Sequence, residues 1–451
     1  MSSFDELIKN KINKEAWAVP KTLDDKLSKI IDELPSEHKS VDSRSYRKIF
    51  AAAVVTLTIL LAFNSSAVKA AVSNVIEYFN INKNSEYVGE ASTFEEFNNS
   101  IGISAEDKGI KLTIDNIVAD DNFLNIFYTA ESEKDIPRSE YADYWSAFEA
   151  QSLFGYKIDG EELSYGNNND GEAYLQTNNI LKGISRVDIS KMHLKDKFNL
   201  EISTDRVLKT EGNWSIKTSV DKSKTVAASR IITPNKSALI NNGVKNNNIN
   251  IDKVVFSPLG NQIVITEYTD EDAYSFWMFA IGDDKGNYAS PFNSALTGTN
   301  GVKSTNSFEF IGIDKDTDYI NIIPIDSNIG IAVDSEKIDI KNLPSTIKIN
   351  EYGSIIIDDI IFSNNQIKVK FRKSGIVPLS DEFKFYDKEG NEVIYNDRVL
   401  EHFVDRTTGV YTTTYTSYKD VEDFSKYAKL SVIYTGNVKL LEDQKIRVDL
   451  K

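Results

Sequence analysis

The sequence predicts a mainly β protein, with short N-terminal helices and one membrane-spanning helix ahead of a train of antiparallel β-sandwiches. Two observations carry this: one uncharged apolar run near the N-terminus, and a strand pattern that recurs three times after it. The chain has 451 residues, far more than the roughly 250 that a single core holds, so several domains are expected. Its 41 % hydrophobic and 27 % charged residues are those of a folded chain. A net charge of −16 speaks against a general nucleic-acid surface, which must be cationic. With no cysteine, disulfides, thiolate metal sites and cysteine nucleophiles are excluded. The three histidines, His38, His193 and His402, are too scattered to suggest a metal site or a triad.

Residues 1–48 hold two short amphipathic patterns around Ala18-Val19-Pro20. Phe4, Leu7, Ile8 and Ile12 recur at helical spacing, and Leu23, Leu27, Ile30, Ile31 and Leu34 do so again before Pro35. Thr22 and Asp25 fit an N-terminal cap with an acid in the first turn. Helices this short are marginal alone in water. Their apolar stripe is therefore read as a docking face for a partner helix, with Trp17 as its aromatic anchor. A solvated tail with helical bias is the plainer alternative.

Residues 49–68 form a 20-residue stretch without a charge. As a helix it covers about 30 Å, the thickness of the bilayer's hydrocarbon core. Arg44, Arg47 and Lys48 stand before it and only Lys69 just after, which places residues 1–48 in the cytoplasm. A cleaved signal peptide is the competing reading, with Val68-Lys69-Ala70 as its cleavage site. The 48 residues ahead of the run are far too many for such a leader, so an uncleaved anchor is expected. The 383 residues after Val68 carry 42 basic and 59 acidic side chains, so the acidity is exported.

Val68, Val72, Val75, Ile76 and Phe79 keep helical spacing and predict a stalk helix reaching about Asn80. Phe94 and Phe97 predict a second short helix over 93–98. From Ile110 the period becomes two. Residues 110–130 (IKLTIDNIVADDNFLNIFYTA), 248–269 (NINIDKVVFSPLGNQIVITEYT) and 354–373 (SIIIDDIIFSNNQIKVKFRK) share one pattern. A strand ends in Ile-Asp, at Asp115, Asp252 and Asp358. An apolar pair, a polar turn with Asn and an alternating strand follow: a β-hairpin written three times. The turns Ile158-Asp159-Gly160, Asp284-Lys285-Gly286 and Lys388-Glu389-Gly390 also resemble one another, and further strands are expected at 198–202, 320–325 and 429–434.

These repeats predict three tandem antiparallel β-sandwich, immunoglobulin-like domains at 101–225, 226–345 and 346–451, after a stalk and linker at 69–100. Intervals of 137 and 106 residues between the repeated Asp put an insertion in the first unit, around 131–149 and 167–171. The repeated Asp reads as a turn or register residue, because it recurs beside the same strand pattern. The acidic run Asp314-Lys315-Asp316-Thr317-Asp318 lacks the Gly and the distant Glu of a helix-loop-helix calcium site and reads as a solvated turn. No phosphate loop, nucleophile elbow, zinc-binding His pair or placed carboxylate pair is present. No catalytic residue, cofactor or metal is expected.

Residues 21–34 (KTLDDKLSKIIDEL) before Pro35, the basic-flanked span and the strand beginning Gly109-Ile110-Lys111-Leu112 resemble a family of single-pass Gram-positive membrane proteins with exported β-domains. Such proteins often occur with extracytoplasmic-function sigma factors and are treated as anti-sigma or sigma-regulatory proteins. The resemblance is best over about 20–135. It implies a cell-membrane protein with its N-terminus in the cytoplasm, where Phe4, Leu7, Ile8, Ile12, Trp17, Leu27, Ile30, Ile31 and Leu34 bind a sigma factor. The extracellular β-domains would sense an envelope signal, with no direct nucleic-acid contact. The segment lacks the His and Cys pattern of zinc-binding anti-sigma domains. A membrane-anchored envelope or adhesion module without signalling is the alternative.

Overall fold

The computed structural model describes residues 75–82, 85, 87–136, 154–163, 170–241, 246–268, 278–297, 303–326, 332–363, 366–378, 382–393, 398–417, 424–434 and 437–451. All lie in one compact unit, Ser66–Lys451. The expected N-terminal helices with their partner-binding residues, the expected span at 49–68 and most of the expected insertion in the first unit lie outside the described residues. No helix among the described residues is long and apolar enough to cross a membrane. The chain is mainly β, built of several antiparallel sheets with few short helices. The expected stalk helix is represented by Val75–Ile81, and the short helix expected over 93–98 is found at Ala91–Glu96.

Three hydrophobic cores follow one another. Strands Asn99–Asp107, Ile110–Ala119, Phe123–Ser132, Ile180–Asp188 and Asp170–Thr177 form one sheet, and Glu161–Glu162, Gly155–Ile158, Lys197–Val207 and Thr210–Asp221 a second. Leu112, Ile114 and Leu124 from the first meet Leu200, Ile202 and Trp214 from the second in one core. The Trp214 indole N–H donates to the Ile110 carbonyl at 2.9 Å, so this large ring is buried without an unmet donor. In the second core, Asn246–Phe256, Asn261–Tyr268 and Lys303–Phe310 pack against Phe279–Asp283 and Tyr319–Pro324. In the third, Gly353–Ser363, Gln366–Gly375 and Val410–Ser417 pack against Glu382–Tyr386 and Lys429–Tyr434.

The expected grouping of 346–451 as one unit differs from the observed pairing. Strand Ile446–Asp449 runs beside Tyr319–Pro324, with Ile446 opposite Ile322 and Val448 opposite Ile320, and belongs to the second core. The Leu450 N–H donates to the Asp318 carbonyl at 2.8 Å and the Arg230 guanidinium to the Leu450 carbonyl at 3.0 Å, fixing that register. A four-residue alternating strand carries no sign of which sheet edge will accept it. A parallel bridge from Ala289 to Gly375 further joins the sheets of the second and third cores.

The three repeated hairpins are Ile110–Ala119 with Phe123–Ser132, Asn246–Phe256 with Asn261–Tyr268, and Gly353–Ser363 with Gln366–Gly375. Each register slips by one residue, between Ile114 and Asn116, Ile251 and Lys253, and Ile357 and Asp359. The repeated Asp is the extra residue of a β-bulge in every copy. A bulge shifts the period-two alternation by one. Core residues Ile114 and Ile117, or Ile251 and Val254, are therefore three apart and still point the same way. Each Asp takes a hydrogen bond from the side chain 14 residues on: Thr129 to Asp115 and Thr266 to Asp252, both at 2.6 Å, and Arg372 to Asp358 at 2.9 Å. The expected register role of this residue has a specific form.

Burial pushes the Asp115 carboxyl up from 3.8 to about 6, against the lowering effect of the Thr129 hydrogen bond. Between those values the folded chain binds more protons than the unfolded one, so stability falls as pH rises through the window and stays low above it. Asp115→Asn, which keeps an acceptor for Thr129, is expected to stabilise the protein by about 1–3 kcal/mol near pH 7 and to lose that advantage near pH 4. Urea unfolding at the two pH values measures this, and an unstabilised variant at neutral pH contradicts it.

Candidate functional site

The densest polar chemistry lies where the three cores meet the short helices Val75–Ile81 and Ala91–Glu96. Glu90 ends the 3-10 turn Val88–Glu90, immediately before helix Ala91–Glu96. Arg186 stands on Ile180–Asp188, Glu309 on Lys303–Phe310, and Arg406 on the turn between Arg398–Val404 and Val410–Ser417. That turn is held by Asp405, whose carboxylate accepts the backbone N–H groups of Thr407 and Thr408 at 2.9 and 3.0 Å. The four charged side chains are at most 5 % exposed.

Arg406 grips Glu309 with two bonds, Nε to Oε2 at 2.6 Å and Nη2 to Oε1 at 3.0 Å. Arg186 reaches Glu90 at 3.7 Å and Glu309 at 3.5 Å, and Arg406 reaches Glu90 at 3.6 Å. Arg186 also donates to the Leu259 carbonyl at 2.9 Å and lies 3.6 Å above the centre of the Phe123 ring. Two arginines and two glutamates make the joint formally neutral, which is what allows it to be dry. Burial still raises the Glu90 carboxyl, outweighing the pull of Arg406 and Arg186. Gly260 has φ +129°, and a Cβ there would sit 3.2 Å from Arg186, Arg406 and Phe123, so only glycine fits.

Beside this joint, helix Val75–Ile81 is fastened to the first core. Glu172 accepts from the Tyr78 hydroxyl at 3.1 Å, from Asn82 at 3.3 Å and from the Ser85 hydroxyl. Burial, reinforced by Glu172, raises the Tyr78 phenol well above its ordinary range. Phe79, Phe94 and Phe127 pack around it with Ile184 and, from the second core, Leu259. Phe403 of the third core meets Tyr87 edge-on at 5.1 Å.

A groove of about 850 Å³ opens along the boundary between the first and second cores. Ser190, one of its lining residues, belongs to a tightly bonded polar group. Asp188 accepts from Ser190 N–H and hydroxyl at 2.8 and 2.6 Å, from Gln262 at 2.9 Å and from Ser307 at 2.5 Å. Lys253 donates to the Asp121 carbonyl at 3.2 Å and to the Ser190 carbonyl. His193 lines this groove, whereas His402 bonds Thr413 at 3.1 Å in another sheet. Among the described residues no group of three His, Asp or Glu is placed to hold a metal. In the acidic run, Asp314 accepts from the Asp316 N–H at 2.9 Å and from Lys285 at 3.2 Å, as a turn residue does.

The sequence-predicted partner-binding residues Phe4, Leu7, Ile8, Ile12, Trp17, Leu27, Ile30, Ile31 and Leu34 lie outside the described residues. The charged joint escaped the sequence reading. Its members are far apart, 123 residues between Arg186 and Glu309 and 97 between Glu309 and Arg406, with no local pattern to join them.

Residues 42–132 match the profile of a domain of unknown function (DUF4179), and residues 229–350 that of a family of unknown function (DUF5643). No curated protein matches the chain. Among solved structures it is similar to the crystal structure of the conserved domain protein from Bacillus anthracis, at 16 % identity. That likeness covers 79 % of this chain and 93 % of the other, with a TM-score of 0.40.

Replacing one member of a buried ion group strands its partners. Arg186→Met is expected to cost about 3–5 kcal/mol of stability, because Glu90 and Glu309 then share Arg406 alone. Lys445→Met, which breaks an exposed pair with Glu442, is expected to leave unfolding where it is. Chemical denaturation of both variants checks the contrast; similar small effects would show that the joint is dispensable.

Proposed function

We propose that this chain is a membrane-anchored regulatory protein of the anti-sigma kind. Residues 49–68 cross the membrane once. Residues 1–48 bind an extracytoplasmic-function sigma factor through the apolar stripe that includes Leu27, Ile30 and Ile31. The exported body, three immunoglobulin-like sandwiches in tandem, responds to a condition of the envelope.

The observation that supports this reading is the fastening of helix Val75–Ile81. It begins seven residues after residue 68, and its Tyr78 and Phe79 are buried at 3 % and 4 % exposure against the body. A stalk locked by Glu172 and the aromatic cluster couples a change in the body to the chain that enters the membrane. A freely jointed linker would not transmit it. The match over 42–132 runs from the basic residues before the apolar stretch through the first hairpin, so that stretch and the hairpin fall within one family match. The alternation of three hairpins, each heading its own core between two sheets, supports the tandem-sandwich body.

Full-length chain purified from its native membrane is expected to carry a sigma factor with it, and a Leu27→Asp, Ile30→Asp double variant to lose it. Glu172→Ala is expected to keep that partner while changing transcription from its promoters. Recovery without any cytoplasmic protein overturns the tail's role, and removal of residues 1–48 by protease added outside intact cells overturns the orientation.

A further inference from the structure

We propose that the outward face of the sheet formed by Lys236–Asn241, Asn246–Phe256, Asn261–Tyr268 and Lys303–Phe310 binds a neutral oligosaccharide, with Tyr268 as the platform for one sugar ring. Residues directly opposed on antiparallel strands share one face. Ile240, Ile249, Ile251 and Ile265 of this sheet turn to the second core, so the residues alternating with them face out. Leu239 lies opposite Asn248, Asn248 opposite Tyr268, and Tyr268 opposite Lys303. Two residues along each strand, Ser237, Asn250, Thr266 and Thr305 make a second row. Thr266 and Thr305 line the groove of about 850 Å³, a volume within the range of small-molecule sites. Met192, His193 and Leu194 of the first unit line the same groove.

The hydrogen bonds of the second row run inward to one carboxylate. The Ser237 hydroxyl donates to the Asn250 side-chain oxygen at 2.8 Å, and the Asn250 amide donates to Asp252. Thr266 gives its only hydroxyl proton to Asp252 at 2.6 Å. The 2.9 Å contact between Thr266 and Thr305 is therefore donated by Thr305. With those protons committed, Ser237 and Thr305 meet a ligand as acceptors. A sugar hydroxyl can donate to them, whereas an ionised carboxylate or phosphate, which only accepts, cannot. The chain's net charge of −16 repels polyanions as well.

Tyr268 supplies the apolar half of the site. It is 43 % exposed, and Leu239, in the same row, is 69 % exposed. The Lys303 ammonium lies 6.0 Å from the Tyr268 ring centre, at the outer limit of a cation–π contact, so it does not cap the ring. A sugar ring carries C–H groups on its faces and hydroxyls around its edge, which suits an aromatic ring set beside hydroxyls and amides. Successive rows are about 7 Å apart, so linked sugars rather than a single one reach both. Two apolar side chains in a polar face are too few for the core of a protein interface. The matching Asp of the other hairpins is not so placed: Asp115 is buried, and Asp358 is gripped by Arg372.

The test titrates the full chain with cellohexaose, chitohexaose and mannohexaose by calorimetry, with polygalacturonate as the anionic counterpart. At least one neutral hexasaccharide is expected to bind saturably at millimolar concentration or below, and more tightly than polygalacturonate. Tyr268→Ala is expected to weaken that binding about tenfold, and Tyr268→Phe to keep it, because the ring face makes the contact. Thr305→Val, which removes the acceptor and keeps the branched shape, is expected to weaken it about fivefold. Tyr268 and Thr305 stand outside the hydrophobic cores, so their variants are expected to unfold where the parent does and report on the face alone. No saturable binding of any neutral hexasaccharide, tighter binding of polygalacturonate, or undiminished binding by Tyr268→Ala overturns the proposal. The measurement is independent of residues 1–48, so it can fail while the sigma-factor reading stands, and the reverse.

Discussion

Arg186 is only 1 % exposed, and the architecture around it follows from the need to keep its charge satisfied. Moving one ion from water to a dry interior costs several kcal/mol even after relaxation. Here the compensation comes from Glu90, Glu309, the Asn125 side chain, the Leu259 carbonyl and the Phe123 ring. These belong to the turn before Ala91–Glu96, to the first core and to the second, and Arg406 brings in the third. No single core can satisfy Arg186, so the segments must arrive together. Hydrophobic burial is non-directional. The fixed angles of a guanidinium between two carboxylates supply the orientation that apolar contact lacks.

The bulged hairpin explains why the body can be stacked at all. Past the bulge, both faces of the strand are apolar: one feeds the hairpin's own core, and the other is offered outward. In the first two copies the outward residues Val118 and Val255 are completely buried. The turns of those two hairpins meet, with Asn122 donating to the Gly260 carbonyl at 2.9 Å and Ser257 donating to Asp120. In the third copy the matching residue, Ile361, is 37 % exposed. One sequence pattern thus yields three similar cores, while its outer face is covered or open according to what lies next to it.

Polar bonding at the boundary between the first and second cores has a mechanical consequence. Asp188, Arg186 and Asn122 reach across it with buried hydrogen bonds, and Lys253 with a part-buried one. Such contacts hold only near their proper geometry, so a small change in orientation loses several together, unlike a greasy interface that can slide. That is the behaviour required of the proposed coupling between the sheets and the helix held by Glu172.

The sequence by itself determined the class of secondary structure, the three hairpins, the short turns and the short helices near Tyr78 and Phe94. All are local: period-two alternation, turn residues and an apolar spacing of three at each Ile-Asp are written within about twenty residues. It also marked Asp115, Asp252 and Asp358 as register residues, though the bulge itself appeared only with the strands paired. Tertiary structure alone decided that Ile446–Asp449 joins the second core, that four distant charges share one dry site, and that a groove lies between two cores. An alternating strand fits any open edge, and a charged side chain looks solvated until its partners arrive. Chain segments separated by about a hundred residues can signal that meeting only by folding.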